Sequence, residues 1–480
     1  MTPAERAARE RRERVDVVVI GAGVAGLEAA RALAGAGWRV AVLEARDRVG
    51  GRIDTRAEPD WPVPIDLGAE FVHGRSPLLL DRLHAAGIDV VTLKPAQHRA
   101  EGGRLVPATR EWKRALALAG NLPAPRAGAD PTVATQLSRA AWRRQGSADE
   151  RRLARAYLEG FNAADLRRAS VRALVAQQEA AETIGGDALG RPSGGYRALP
   201  LHLAEQLAAA VRRRRGDRAP AGGPPALRLG TVVDRIVWTP GSVRIEARAA
   251  DGVPLRPIEA RLAIVTVPLG VLQAPAGAPG AIRFEPALPA GVRTAIGALA
   301  MGTVTKAVVR FNRTPWRRPP SGELGFLHVP GGAFPTLWTL AEGERPVLVA
   351  WAAGPAADRL RGRTPAQLRR TALGTLAQAF QRALGDLESF VDGVIVAVWG
   401  DDPFARGAYS WVPVGGADAA TRLAKPVADT LVFAGEATEA SGHAGTVHGA
   451  LMTGARAAAQ ARSILGWRAA TVRDGKANSR

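Results

Sequence analysis

Residues 15–52 constrain this chain more than any other stretch. An apolar run, residues 15–20, leads into Gly21-Ala22-Gly23-Val24-Ala25-Gly26, and an Ala-rich segment follows that reads as a helix over 25–36. A strand, a glycine turn and a helix N-terminus make an anion site, because unpaired amides and the helix dipole face one point. Gly21, Gly23 and Gly26 allow a tight turn, close backbone approach to a pyrophosphate, and close helix–strand packing. A second strand, 38–43, ends on Glu44, where an acidic side chain can hold the ribose hydroxyls of an adenine dinucleotide. The sequence therefore demands a doubly wound α/β unit that binds a dinucleotide.

Directly afterwards stand Ala45, Arg46 and then Arg48-Val49-Gly50-Gly51-Arg52. Two more glycines and further arginines this close to the first loop suggest a second set of contacts to the same pyrophosphate, since guanidinium donors match phosphate geometry. Residues 15–75 resemble the N-terminus of the flavin-dependent amine oxidase superfamily, which carries GxGxxG, the acid and RxGGR in this order. Residues 65–74, Ile-Asp-Leu-Gly-Ala-Glu-Phe-Val-His-Gly, resemble its next motif, which runs beside the flavin and includes Gly68, Ala69 and Glu70. The resemblance extends over residues 15–465 and implies FAD rather than NAD.

Composition bounds the rest. The chain has 480 residues, long enough for two domains, with 46% hydrophobic and 23% charged residues, as in globular proteins. No apolar run approaches the length of a spanning helix, so a soluble, cytoplasmic protein without a membrane anchor is expected. There are no cysteines, which removes disulfides, thiolate metal sites and a flavin attached through a cysteine thioether. No metal is expected, and FAD should be noncovalent. A formal charge of +20 invites a nucleic-acid reading. The arginines are spread, however, and no aromatic residues interleave with them as a single-strand platform would require. No specific nucleic acid is expected.

The expected fold is a two-domain, FAD-binding Rossmann-like (glutathione-reductase-type) α/β architecture with an interleaved α+β substrate domain. Residues 1–14 read as a charged extension and 466–480 as a polar tail. Residues 15–92, 222–280 and 396–465 are expected to form the cofactor domain, and 93–221 and 281–395 the substrate domain. Long helices are expected at 134–157, 171–183 and 196–215, and one at 365–384.

The chemistry is expected downstream. Phe433-Ala434-Gly435-Glu436 and, after a loop, Thr446-Val447-His448-Gly449 set a glycine turn before a helix whose first amides are free. In the family the Gly-Glu pair contacts FAD, and the second stretch caps the pyrimidine end of the flavin. His448 is expected to cap a helix. Lys306 is one of five lysines and sits among valines on a strand, so it is either a stem reaching water or a buried ammonium with a task. Amine oxidases carry a lysine there that reaches flavin N5 through a water. Residues 399–411, from Trp399 to Trp411, resemble the family's W-x-x-D-P-x-x-x-G-[SA]-Y-S stretch. Tyr409, otherwise a core tyrosine, then corresponds to one wall of an aromatic cage that steers the amine. Thr446 aligns with the opposite wall, and Ala408 stands where flavinylated members have cysteine. His73 matches a histidine that touches substrate in polyamine oxidases. Val233 is expected beside the cofactor.

The resemblance implies an FAD-dependent amine oxidase: hydride passes from the amine α-carbon to flavin N5, the imine hydrolyses to aldehyde and amine, and O2 reoxidises the flavin to give H2O2. A polyamine-like or bulky amine is favoured, with Glu70, Glu179, Glu182 and Glu439 as candidates for a local acidic site. The alternatives are an L-amino acid oxidase or desaturase of the same superfamily, and a protein that binds FAD without turnover. Oligomeric state does not follow from the sequence.

Overall fold

The computed structural model describes residues 13–123, 125–126, 128–215, 226–317 and 322–477. Its organising element is a five-stranded, all-parallel sheet in the order Leu227–Arg228, Val40–Leu43, Val17–Ile20, Leu262–Val265, Leu431–Phe433. The three middle strands are buried at every position. That matches their unbroken Val/Ile/Leu/Ala character, because a parallel sheet is covered on both faces. On one face lies the helix Val24–Gly35, against which pack Ala198–Arg215 and Val447–Ala477. The other face is covered by a mainly antiparallel layer built around Thr231–Thr239, Ser242–Ala249 and Ile258–Ala260.

A second body is a seven-stranded sheet in the order Val391–Val398, Val304–Phe311, Val347–Ala353, Thr336–Ala341, Phe326–His328, Gln97–Glu101, Arg104–Pro107. The helix Pro365–Phe380 seals one side of it through Leu368, Leu373 and Leu376. A helical group, including Thr109–Gly120, Ala148–Phe161 and Val171–Thr183, shares its own apolar core.

Several boundaries differ from the sequence expectation. The helix Ala198–Arg215, assigned above to the substrate side, buries Leu199, Leu203 and Leu207 in the same core as Leu27 and Leu33 of the first Rossmann helix. Residues 283–298 also join the cofactor side. The strand Arg283–Glu285 pairs with Thr231–Thr239, and the helix Ala290–Ala298 packs by Ala295 and Ile296 against the sheet's second face. Residues 396–398 complete a substrate-sheet strand. The segment 134–157 is three helices rather than one. Ser147 opens the last of them with a capping box that includes Glu150, so the chain must restart there. Of the N-terminal extension, Glu13–Arg14 pairs with Ile258 and Glu259, and residues 1–12 lie outside the described residues. The final helix continues to Ala477 where a polar tail was expected, in keeping with the Ala and Arg content of that stretch. Among the described residues no helix is long and apolar enough to cross a membrane.

Candidate active site

One cavity of about 1620 Å3 runs between the two bodies and is lined by residues of both. The catalytic and cofactor-binding residues singled out in the sequence line it except Gly26, which sits behind the loop. A Cβ on Gly26 would lie 2.0 Å from the Gly21 carbonyl oxygen, so this glycine serves close packing.

The dinucleotide end is made of backbone. Gly23 caps the helix Val24–Gly35 without a side-chain hydrogen bond, and nothing lies within 4 Å of where its Cβ would be. The helix amides therefore face an open cradle, as phosphate binding requires. Gly50 donates its N–H to the Ala22 carbonyl at 2.9 Å, and Gly23 and Gly50 form a bridge that lays the second glycine pair along the first. Glu44 sets this arrangement: Oε2 accepts the Ala22 N–H at 2.7 Å and Oε1 the Arg46 N–H at 3.0 Å. Its carboxylate retains lone pairs for ribose hydroxyls. The donor set fits an adenine dinucleotide.

Arg48 acts differently from the sequence expectation, while Arg46 and Arg52 line the cavity and also hold protein partners. Arg48 donates to the carbonyls of Val49, Gly51 and Ile53 and thus folds its own loop instead of facing phosphate. Arg46 makes two 2.8 Å bonds to the Asp402 carboxylate. Arg52 donates to Glu436 at 2.7 Å and to the Ala408 carbonyl at 2.8 Å. These pairs fasten the N-terminal motif to residues more than 350 positions away. Glu436 also accepts the Ser410 hydroxyl and the Gly445 N–H. Trp399 donates to the Leu67 carbonyl and packs where a Cβ on Gly68 would crowd it. Val233 is buried at a bulge in its strand.

Lys306 is the buried ammonium rather than the stem reaching water. It is 3% exposed, donates to the Asp66 carbonyl at 2.6 Å and to Glu70 at 2.8 Å, and faces the cavity from a fully buried strand. Desolvation, with the Glu70 charge nearby, pushes the Asp66 carboxyl up to about 6, against the Thr55 hydroxyl bond that favours ionisation.

The amine end is aromatic. Tyr409 pairs by backbone with Gly302, next to the Lys306 strand, and its hydroxyl donates to the Phe161 carbonyl at 3.0 Å. Burial raises that phenol. His73 meets Phe161 edge-on at 5.3 Å, Phe161 stacks on Tyr157 at 5.0 Å, Tyr157 meets Trp112 at 5.6 Å, and Trp112 stacks on His328 at 4.3 Å. Burial pushes His73 and His328 down to about 4, so the strip is uncharged at neutral pH. Trp112, Phe161 and His328 carried no sequence signal, because no motif contains them. Tyr157 was visible only as one of three tyrosines.

Thr446 lines the cavity and also holds the start of the last helix. Its hydroxyl accepts the Gly449 N–H at 2.9 Å and donates to the His443 carbonyl at 2.7 Å, so it caps the last helix. Val447 opens that helix. His448 faces His443 at 3.3 Å, and desolvation followed by that neighbour pushes it down to about 4. Of the acidic candidates, Glu70 is paired with Lys306 and Arg191, Glu439 accepts the Ser441 and His443 amides, and Glu179 does not line the cavity. Glu182 does, together with Asp187, and both are exposed.

The model of the family described as "Flavin containing amine oxidoreductase" matches residues 24–462. Polyamine oxidase 4 of Oryza sativa subsp. japonica is 30% identical over 476 residues, covering 94% of this chain and 89% of its own. Lysine-specific histone demethylase 1 homolog 1 of the same organism is 30% identical over 485 residues, of which the chain covers 52% of the relative's length. Among solved structures, putrescine oxidase bound to putrescine aligns with a TM-score of 0.72 at 22% identity, over 93% of this chain and 98% of that one. Cyclohexylamine oxidase from Brevibacterium oxydans aligns at 0.71 and 24%, over 94% and 99%. The phosphate cradle, the buried lysine and these likenesses agree that the chain belongs to the flavin-containing amine oxidoreductases and is an FAD-dependent amine oxidase.

Proposed function

We propose that the substrate is a polyamine-type or other bulky amine, that FAD is held noncovalently, and that O2 is the electron acceptor. The observation that carries this is one cavity holding the phosphate cradle, the Lys306 ammonium and a neutral aromatic strip. When bound, the flavin supplies the two-electron oxidation of the amine's α C–H bond to an imine. The chain's residues do the rest. Tyr409, Phe161 and His73 present ring faces and edges that orient an amine and exclude water. Lys306 offers a fixed cation to the negative charge that would develop on dioxygen as it takes electrons from the reduced cofactor, and it would orient water for imine hydrolysis. The N-terminus of the last helix supplies amide dipoles where the electron-rich end of the cofactor would lie. The absence of cysteine, with Ala408 before Tyr409, supports noncovalent binding.

Glu182 and Asp187 are the acidic groups placed to meet a second ammonium, and the polyamine oxidase relatives favour the same class. An L-amino acid oxidase would use a guanidinium for the carboxylate. The cavity arginines Arg46, Arg52, Arg99 and Arg152 are each already paired with a carboxylate, which disfavours that reading.

The test is anaerobic absorbance of the yellow protein with spermine, N-acetylspermine, putrescine, phenethylamine, a methylated lysine peptide or L-amino acids. Peroxide is then assayed on admitting air. Bleaching by the polyamines with peroxide formed is the expected result. Bleaching by L-amino acids alone would overturn the substrate class, and bleaching without peroxide would overturn O2 as acceptor. Because the oxidised species is the neutral amine, the rate should rise with pH between about 6 and 9, and a flat profile would contradict it.

A further inference from the structure

Two of the three N–H bonds of Lys306 are committed, to the Asp66 carbonyl at 2.6 Å and to Glu70 Oε2 at 2.8 Å. An ammonium is tetrahedral, so two fixed hydrogens also fix the direction of the third. Glu70 is itself held. Its Oε1 accepts Arg191 at 2.7 Å and the Trp338 indole N–H at 2.8 Å, and the same indole lies 5.5 Å beneath the Lys306 ammonium. Arg191 in turn rests on the Phe71 ring at 5.2 Å. Burial alone would raise the Glu70 carboxyl, but Lys306 and Arg191 outweigh it and hold it below the usual carboxylate range, so it stays ionised.

These partners come from separate parts of the chain. Arg191 stands on Leu189–Pro192, which pairs with Val72–His73 just after Glu70. Trp338 stands on Thr336–Ala341, two strands from Lys306. With three protein donors on its two oxygens, two of them on Oε1, Glu70 has about one of its four lone-pair sites left for any other partner.

We propose that Glu70, clamped by Arg191 and Trp338, is the positioning residue for Lys306: it leaves one N–H of the ammonium to face the cavity and offsets the lysine charge there. This is support for a functional group by a fixed outer partner, with the cost of orientation met during folding. It rests on the proposed role of Lys306, and the controls below separate the two.

The experiment uses the FAD-loaded protein and its Glu70→Gln, Arg191→Gln and Lys306→Met variants. Three quantities are read: the midpoint potential of the bound flavin, the rate at which O2 reoxidises photoreduced protein, and the rate of anaerobic reduction by amine. Glu70→Gln removes a negative charge from the cavity wall, so the potential should move positive. Reoxidation should slow by about tenfold to a hundredfold, the scale of losing an outer-shell partner. Reduction by amine should change far less. Arg191→Gln should move the potential the opposite way. A merely structural ion pair would lower stability and leave the potential in place. If Glu70→Gln keeps the wild-type potential and reoxidation rate while Lys306→Met is slow, the clamp is overturned. If Lys306→Met reoxidises as wild type, the role of the lysine falls and the clamp with it. Should Glu70→Gln fail to retain FAD, Arg191→Gln decides, and an unchanged potential there overturns the proposal.

Discussion

The two ends of the cavity are built by opposite means. The dinucleotide end is backbone, shaped by Gly21, Gly23, Gly50 and Gly51 and fixed by the carboxylates of Glu44 and Glu436. The amine end is side chain: rings from four separate elements, touching edge and face. Backbone sites tolerate almost no added atom, because a main chain cannot step aside. An aromatic wall can repack, since each ring contributes a share of apolar contact rather than a unique geometry. The cofactor end should therefore fail all at once, and the amine end by degrees.

The harshest break of this contrast is Gly26→Val. A Cβ there meets the Gly21 carbonyl, so the variant should purify without FAD or not fold at all, read by visible absorbance and circular dichroism. Retention of full FAD would sink the backbone account of that end. Next in size is Lys306→Met, which removes a buried cation and leaves Glu70 facing Arg191 alone. Reoxidation by O2 should fall by about a hundredfold or more in stopped flow, as for loss of a preorganised charge-stabilising group.

Tyr409→Phe sharpens the contrast from the amine end. It deletes the bond to the Phe161 carbonyl, worth about 0.5–1.5 kcal/mol. KM for the amine should rise by up to about tenfold, while the FAD dissociation constant stays at its wild-type value. A change in FAD affinity equal to the change in KM would show that the two ends are not independent.

A separate readout of the contrast is acid stability. His73, His328 and His448 are pushed from 6.5 down to about 4, so the unfolded chain binds protons that the folded one refuses. Stability should rise with pH between about 4 and 6.5. Asp66 has the opposite sign: its carboxyl is raised from 3.8 to about 6, so its contribution is present at low pH and is lost through about 6. Three groups outweigh one, and the net slope should be positive in urea melts. His328→Gln, at the amine end, should flatten it; an unchanged slope would count against a buried neutral imidazole.

The same contrast governs what could be read beforehand. The phosphate loops, Glu44 and the Gly435–Glu436 turn are contiguous, because a turn that cradles phosphate is local chemistry with glycines at fixed offsets. The parallel strands were equally visible as short apolar runs. Arg48 was misjudged because its residue type suits phosphate equally well as the carbonyls of its own loop. The capping bond of Thr446 was not legible, because alignment to an aromatic wall says nothing about a hydroxyl that can cap a helix.

By itself, then, the sequence determined that residues 17–52 fold as a dinucleotide unit, that Lys306 lies on an apolar strand, and that no thiol chemistry takes place. Tertiary structure alone decided that Glu70 answers Lys306 across 236 positions, that Arg52 finds Glu436 across 384, and that Trp112, Tyr157, Phe161 and His328 meet in one strip. Turn geometry and strand burial are properties of neighbours in the chain. Ion pairs and ring contacts between distant elements depend on how sheets and helices stack, and no local pattern encodes that register.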